Sequence, residues 1–159
     1  MDTLYHSSTN KDLELLEPQR TLSKDIYIGD YVFATSDKRL AAMYLATRGT
    51  PILLNTNVKN PQIIISANAK EYVKHDVGGA IYSVPAEYFK KTPQTGLEDS
   101  ERVSEITVHP SAKTVYESSI AAMREMGVTV YFVSQKQFDE IIRTKNEDHI
   151  ISKLAPYLQ

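Results

Sequence analysis

The side chains that could do chemistry in this chain are four histidines, His6, His75, His109 and His149, and a scatter of carboxylates. None of the histidines falls in an H-E-x-x-H or comparable spacing, and the chain has no cysteine, so no metal site and no thiolate chemistry are expected. A serine nucleophile lacks its G-x-S-x-G turn. His6 closes a short, partly apolar run just before Ser7-Ser8-Thr9-Asn10, where a strand end can offer a side chain to a groove. The plainer reading of His6 is a solvated or hydrogen-bonded structural histidine. Between Arg102 and His109 the residues alternate, which puts Glu105 on one face with Val103 and Thr107. A carboxylate on a partly buried face needs a partner or a function, because desolvating an unpaired charge is costly; alternatively the face is solvated, or Arg102 pairs with it. Tyr44 recurs with Leu40, Met43 and Thr47 at helical spacing, either as a core tyrosine with its hydroxyl at the surface or as a ring that stacks on a nucleotide.

The elements that must position these groups follow from local pattern. Thr3 to Ser7 reads as a first strand, and Leu13 to Pro18 as an irregular crossover. Gly29-Asp30 reads as a turn before the buried strand Tyr31 to Ala34. Ser36 is the expected N-cap of the next helix, with Arg48 in its last turn and Gly49 at its stop. Strands are expected at 51–54, 62–65, 80–84, 102–109 and 128–133, and helices at 67–74 and 118–126. The stretch 90–100 is a polar loop, and 134–159 holds one or two helices. Strands and helices out of regular alternation predict an α+β fold, and no Gly-rich phosphate loop is present. The division expected is a domain over 1–134 with a helical extension over 135–159 packed on it.

Composition narrows the partners. At 159 residues with 42% apolar content the chain can bury a core, and its net charge of −2 comes from interspersed charges. Without a basic stripe, nucleic acid has no electrostatic support as a partner. No apolar run approaches a membrane span, and Met1 to His6 lacks the features of a signal peptide, so a soluble, cytoplasmic protein is expected.

Three segments, in order, resemble the ADP-ribosyltransferase superfamily, in its poly(ADP-ribose) polymerase and rifampin-modifying branches. Leu4-Tyr5-His6-Ser7-Ser8 looks like the Y-H-G-[ST] strand. Tyr31-Val32-Phe33-Ala34-Thr35 and the helix through Leu40-Ala41-Ala42-Met43-Tyr44 are similar to the Y-F-A strand and the helix after it. Ser104-Glu105-Ile106-Thr107-Val108 looks like the strand holding the catalytic glutamate. The resemblance implies split mixed and antiparallel sheets, with NAD as substrate and no metal. His6 would bond a ribose hydroxyl, the Ser7 backbone would clamp the carboxamide, and Tyr44 would stack on the nicotinamide. Tyr31 and Phe33 would also belong to the cofactor-binding set, and Glu105 would hold the nicotinamide ribose 2′-hydroxyl and stabilise the positive charge developing at C1′ as nicotinamide leaves. The acceptor of ADP-ribose is not readable. Ser7 stands at the family's glycine, Val32 at its strand tyrosine, Ala41 at a serine of the polymerases and Val103 where arginine-specific toxins carry a second acid. A catalytically silent module of the same fold, binding a nucleotide or a protein, is therefore the second expectation.

Overall fold

The computed structural model describes residues 2–46, 49–55, 60–91 and 99–158. Its elements are β1 (Thr3–Ser8), β2 (Gln19–Ser23), β3 (Ile26–Thr35), α1 (Lys38–Tyr44), β4 (Ile52–Asn55), β5 (Gln62–Ser66), α2 (Ala69–His75), β6 (Gly79–Pro85), β7 (Glu101–Ser104), β8 (Ala112–Tyr116), α3 (Ser119–Glu125), β9 (Thr129–Val133), α4 (Gln135–Thr144) and α5 (Glu147–Ile151). The fold is α+β, with its strands in two sheets. No helix among the described residues is long and apolar enough to cross a membrane.

The chain forms two compact units, each assembled from two separated segments. The first takes Met1–Ala41 with Gly79–Val115, and the second Ala42–Gly78 with Tyr116–Gln159. The expected boundary after residue 134 does not coincide with either. Phe138, Ile141 and Ile150 of α4 and α5 form one apolar core with Ile64 of β5 and Val133 of β9, so the C-terminal helices belong to the second unit rather than extending a finished domain.

In the first unit the strand order is β2-β3-β1-β6-β8, with β7 also on β3. β1 runs antiparallel to β6 with His6 opposite Tyr82, and meets β3 at Tyr5 opposite Thr35. Side chains alternate across a strand, so Leu4, Val32, Ala34, Ala80, Tyr82 and Val84 share one buried face, closed by Leu16 and Val108. Burying such a face is the main source of its stability, at about 25 cal/mol per Å² of apolar surface.

Three expectations for this unit change. Gly29-Asp30 is not a turn but lies inside β3; the turn is Lys24-Asp25, both at positive φ (50° and 65°), closing a two-residue hairpin between Ser23 and Ile26. That geometry matches strand twist but is usually built from Asn-Gly, so the Lys-Asp pair concealed both the hairpin and β2. The cap of α1 is Asp37 rather than Ser36, since its carboxylate accepts from the Arg39 backbone N–H at 2.9 Å. The strand expected over 102–109 ends at Ser104, because the chain bends at 105 and 106 and returns to backbone pairing only where Val108 meets Leu16.

The second unit carries the sheet β4-β5-β9, antiparallel between β4 and β5 and parallel between β5 and β9. Ser134 and Gln137 form a reciprocal capping box at the start of α4. Asp76 does similar work for α3, accepting from the backbone N–H groups of Ser119 and Ile120 and from the Ser119 hydroxyl. Gly49 adopts φ 64°, as expected of a helix stop, while Thr47 and Arg48 lie outside the described residues.

Candidate functional site

A cleft of about 280 Å³ opens in the first unit between β1, β3 and the segment that crosses from β1 to β2. His6 and Ser8 line it from β1, Tyr31, Val32 and Phe33 from β3, and Leu13, Leu15, Leu16, Glu17 and Gln19 from the crossing segment and the start of β2.

The crossing segment is held by two anchors. The Tyr82 hydroxyl, on a fully buried ring, donates to the Asn10 carbonyl at 2.7 Å and accepts from the Leu13 N–H at 3.0 Å. Beyond it, Leu16 and Val108 exchange two backbone hydrogen bonds at 2.9 Å each. Lys113 also reaches the Lys11 carbonyl and lies 3.5 Å from the Asp12 carboxylate. The wall of the cleft is therefore pinned by backbone and buried groups, which gives an otherwise irregular stretch a fixed position.

His6 sits at the centre of the β1 wall. Its Nδ1 lies 2.7 Å from the Phe33 carbonyl oxygen, which can only accept, so Nδ1 carries the proton. Burial lowers the His6 pKa below 6.5, partly opposed by that hydrogen bond, so the ring is neutral at pH 7 and Nε2 is an acceptor. No buried side-chain nitrogen or oxygen among the described residues lacks a hydrogen-bond partner, and Nε2 makes no bond to the protein, so Nε2 is open to solvent on the cleft side. Tyr31 and Phe33 meet edge to face at 6.1 Å. The Tyr31 ring lies over Gly29, where an added Cβ would stand 2.6 Å from it, and its hydroxyl donates to the Ile28 carbonyl. Tyr31 is thus a buried clasp on the β3 bend as well as a cleft wall.

Of the residues expected at a site, the cleft brings together His6, Tyr31 and Phe33. Ser7 lies on β1 opposite Ile81, with its side chain on the other face from His6. Tyr44 is the half-buried last residue of α1 and belongs to the second unit.

Of the two readings of Glu105, a partly buried face and a solvated one, the structure shows the solvated one. Glu105 stands one residue beyond β7 with its side chain 56% exposed, and its Oε2 accepts from Lys90 Nζ at 2.6 Å. That ion pair raises the Lys90 pKa. Arg102, the alternative partner for Glu105, instead donates to the carbonyls of Asp99 and Glu101. The buried carboxylate of β7 is Glu101, 5% exposed, on the same strand parity.

Sequence reasoning also missed Tyr82 and the leucines of the crossing segment. A tyrosine inside an apolar strand must find a partner for its hydroxyl, and that requirement was the available clue to Tyr82. Of the expected 90–100 loop, 92–98 lie outside the described residues, and Lys91 and Asp99 at its ends pair at 2.8 Å. Among the described residues no group of three or more His, Asp or Glu could hold a metal ion.

Compared with protein-family models, curated proteins and solved structures, the chain matches none.

Proposed function

We propose that the chain is an ADP-ribosyltransferase-like NAD-binding module whose cleft takes the nicotinamide-ribose end of the dinucleotide. The observation that carries this reading is the His6 ring, fixed by Phe33 and offering an unprotonated Nε2 to a cleft that Tyr31 and Phe33 also line. A neutral imidazole acceptor on a rigid strand suits a ribose hydroxyl donor. The order of the three segments that resemble the superfamily supports the same reading. At about 280 Å³ the cleft lies just below the usual range for small-molecule sites, which suits one ring and one sugar rather than a whole dinucleotide. Among the described residues no lysine or arginine lines it, so the pyrophosphate would lie outside.

A silent module is favoured over a transferase because Glu105 is solvent-exposed and occupied by Lys90. One observation favours the transferase as a second reading. β3 pairs with β7 with Val32, which lines the cleft, opposite Ser104, and Glu105 follows Ser104 directly, one residue beyond the strand. The test is calorimetric titration with NAD together with an assay for released nicotinamide. Saturable binding that His6→Ala abolishes, without nicotinamide release, supports the module. Release that stops in Glu105→Gln supports the transferase. Absence of binding at millimolar NAD refutes both.

A further inference from the structure

Among the described residues that line the cleft one bears a carboxyl side chain, and it is not Glu105. Glu17 lies on the crossing segment, between the Leu16 anchor and β2, and lines the same cleft as His6. Among the described residues Glu17 makes no ion pair, and no lysine or arginine lines the cleft to offset it. Its backbone is held in place: the carbonyl accepts from Gln19 Nε2, and the preceding residue is bonded to Val108 in both directions. The cleft therefore carries a negative side chain on an anchored stretch of backbone at its exposed edge, with leucines beside it and the neutral His6 ring on β1.

We propose that Glu17 makes this cleft selective for ligands with a cationic ring, so that an N-ribosylpyridinium is preferred to its neutral, reduced form and an added phosphate gives no gain. The inference rests on the NAD reading and deepens it. The oxidised nicotinamide ring carries a positive charge and the dihydro ring does not, so the two forms differ chiefly in the charge Glu17 would meet. A carboxylate a few ångströms from a unit positive charge near a wet surface is worth roughly 1 kcal/mol, or about fivefold in affinity, and salt screens it. A phosphate would add negative charge to a cleft that already holds one.

The test titrates the full chain and Glu17→Gln with four probes: NAD, NADH, nicotinamide riboside and nicotinamide mononucleotide. In the unaltered protein NAD is expected to bind about fivefold tighter than NADH, and the riboside at least as tightly as the mononucleotide. Both preferences should shrink at high salt and vanish in Glu17→Gln. Because Glu17 is exposed, that variant should melt at the same temperature as the parent. Equal affinity for NAD and NADH, or a preference that survives Glu17→Gln, overturns the inference while leaving NAD binding standing. Failure of all four probes to bind overturns the NAD reading and the inference with it.

Discussion

His6 Nδ1 donates to the Phe33 carbonyl across 2.7 Å, tying the first strand of the sheet to its neighbour through a side chain at the cleft wall. The bond fixes the tautomer and leaves Nε2 as the ring's outward acceptor.

A pH dependence follows from this arrangement. Burial holds the His6 pKa below 6.5, so below that pH the unfolded chain takes up a proton that the folded chain refuses. Stability contributed by His6 is therefore complete above about pH 6.5 and declines as pH falls through the window below it. Urea denaturation at pH 7 and pH 5.5 should show a larger loss for the parent than for His6→Asn. Equal losses would mean that His6 is not buried as a neutral ring.

Tyr82→Phe should destabilise the protein by about 1–3 kcal/mol, because it strips a donor from the Asn10 carbonyl and an acceptor from the Leu13 N–H while leaving the fully buried ring in place. Any ligand of the cleft should bind more weakly, since the crossing segment loses one of its anchors. A variant with the parent's stability but altered binding would show that the hydroxyl acts on the cleft alone.

Gly78 and Gly127 share nearly the same left-handed backbone, φ 67° and 68°, but differ in surroundings. A Cβ on Gly127 meets nothing within 4 Å, whereas one on Gly78 would stand 2.1 Å from the Tyr116 carbonyl oxygen. Gly127→Ala should cost about 1–2 kcal/mol from backbone conformation alone. Gly78→Ala should cost considerably more and could leave little folded protein. Melting temperatures of the two variants give the comparison, and equal losses would contradict the close approach.

Asp25 holds φ 65° in the β2–β3 turn, where glycine carries no steric penalty. Asp25→Gly should therefore raise the melting temperature slightly or leave it unchanged, by under about 1 kcal/mol, since relief of strain is offset by the greater freedom of the unfolded chain. A clear loss of stability would indicate that the Asp25 side chain supports the turn.

How much of this was readable in the sequence varied with the kind of information each element carries. β9 announced itself, because Val128 to Val133 is an unbroken β-branched and aromatic run, and α1 was marked by helical spacing. β2 and β8 were not legible: Gln19-Arg20-Thr21-Leu22-Ser23 is an edge strand joined to β3 by a Lys-Asp turn without the usual Asn-Gly signal, and Ala112-Lys113-Thr114-Val115-Tyr116 is an edge strand paired with β6, well before it in sequence. His6, Tyr31 and Phe33 could be singled out because strand ends and aromatic runs have local signatures. Glu17 could not, since nothing near Leu16 in sequence foretells a bridge to Val108. Glu105 was misplaced because alternation predicts a face only while a strand continues, and β7 stops at Ser104.

The two-segment construction of each unit has a consequence for how the chain acquires structure. β1 is made well before its long antiparallel partner β6, whose paired residues lie 72 (Ser8 with Ala80) to 82 (Thr3 with Pro85) positions later, and the first unit lacks its final strand until residue 115 has emerged. The intervening stretch 42–78 must wait in turn for 116–159, so each half-built unit brackets part of the other. Closing such distant contacts is slow relative to local ones, and neither unit can be cut out as one uninterrupted fragment. Completion of the first unit should accordingly wait for residue 115, and completion of the second for the segment that begins at Tyr116, with the earlier segments dependent on protection until then.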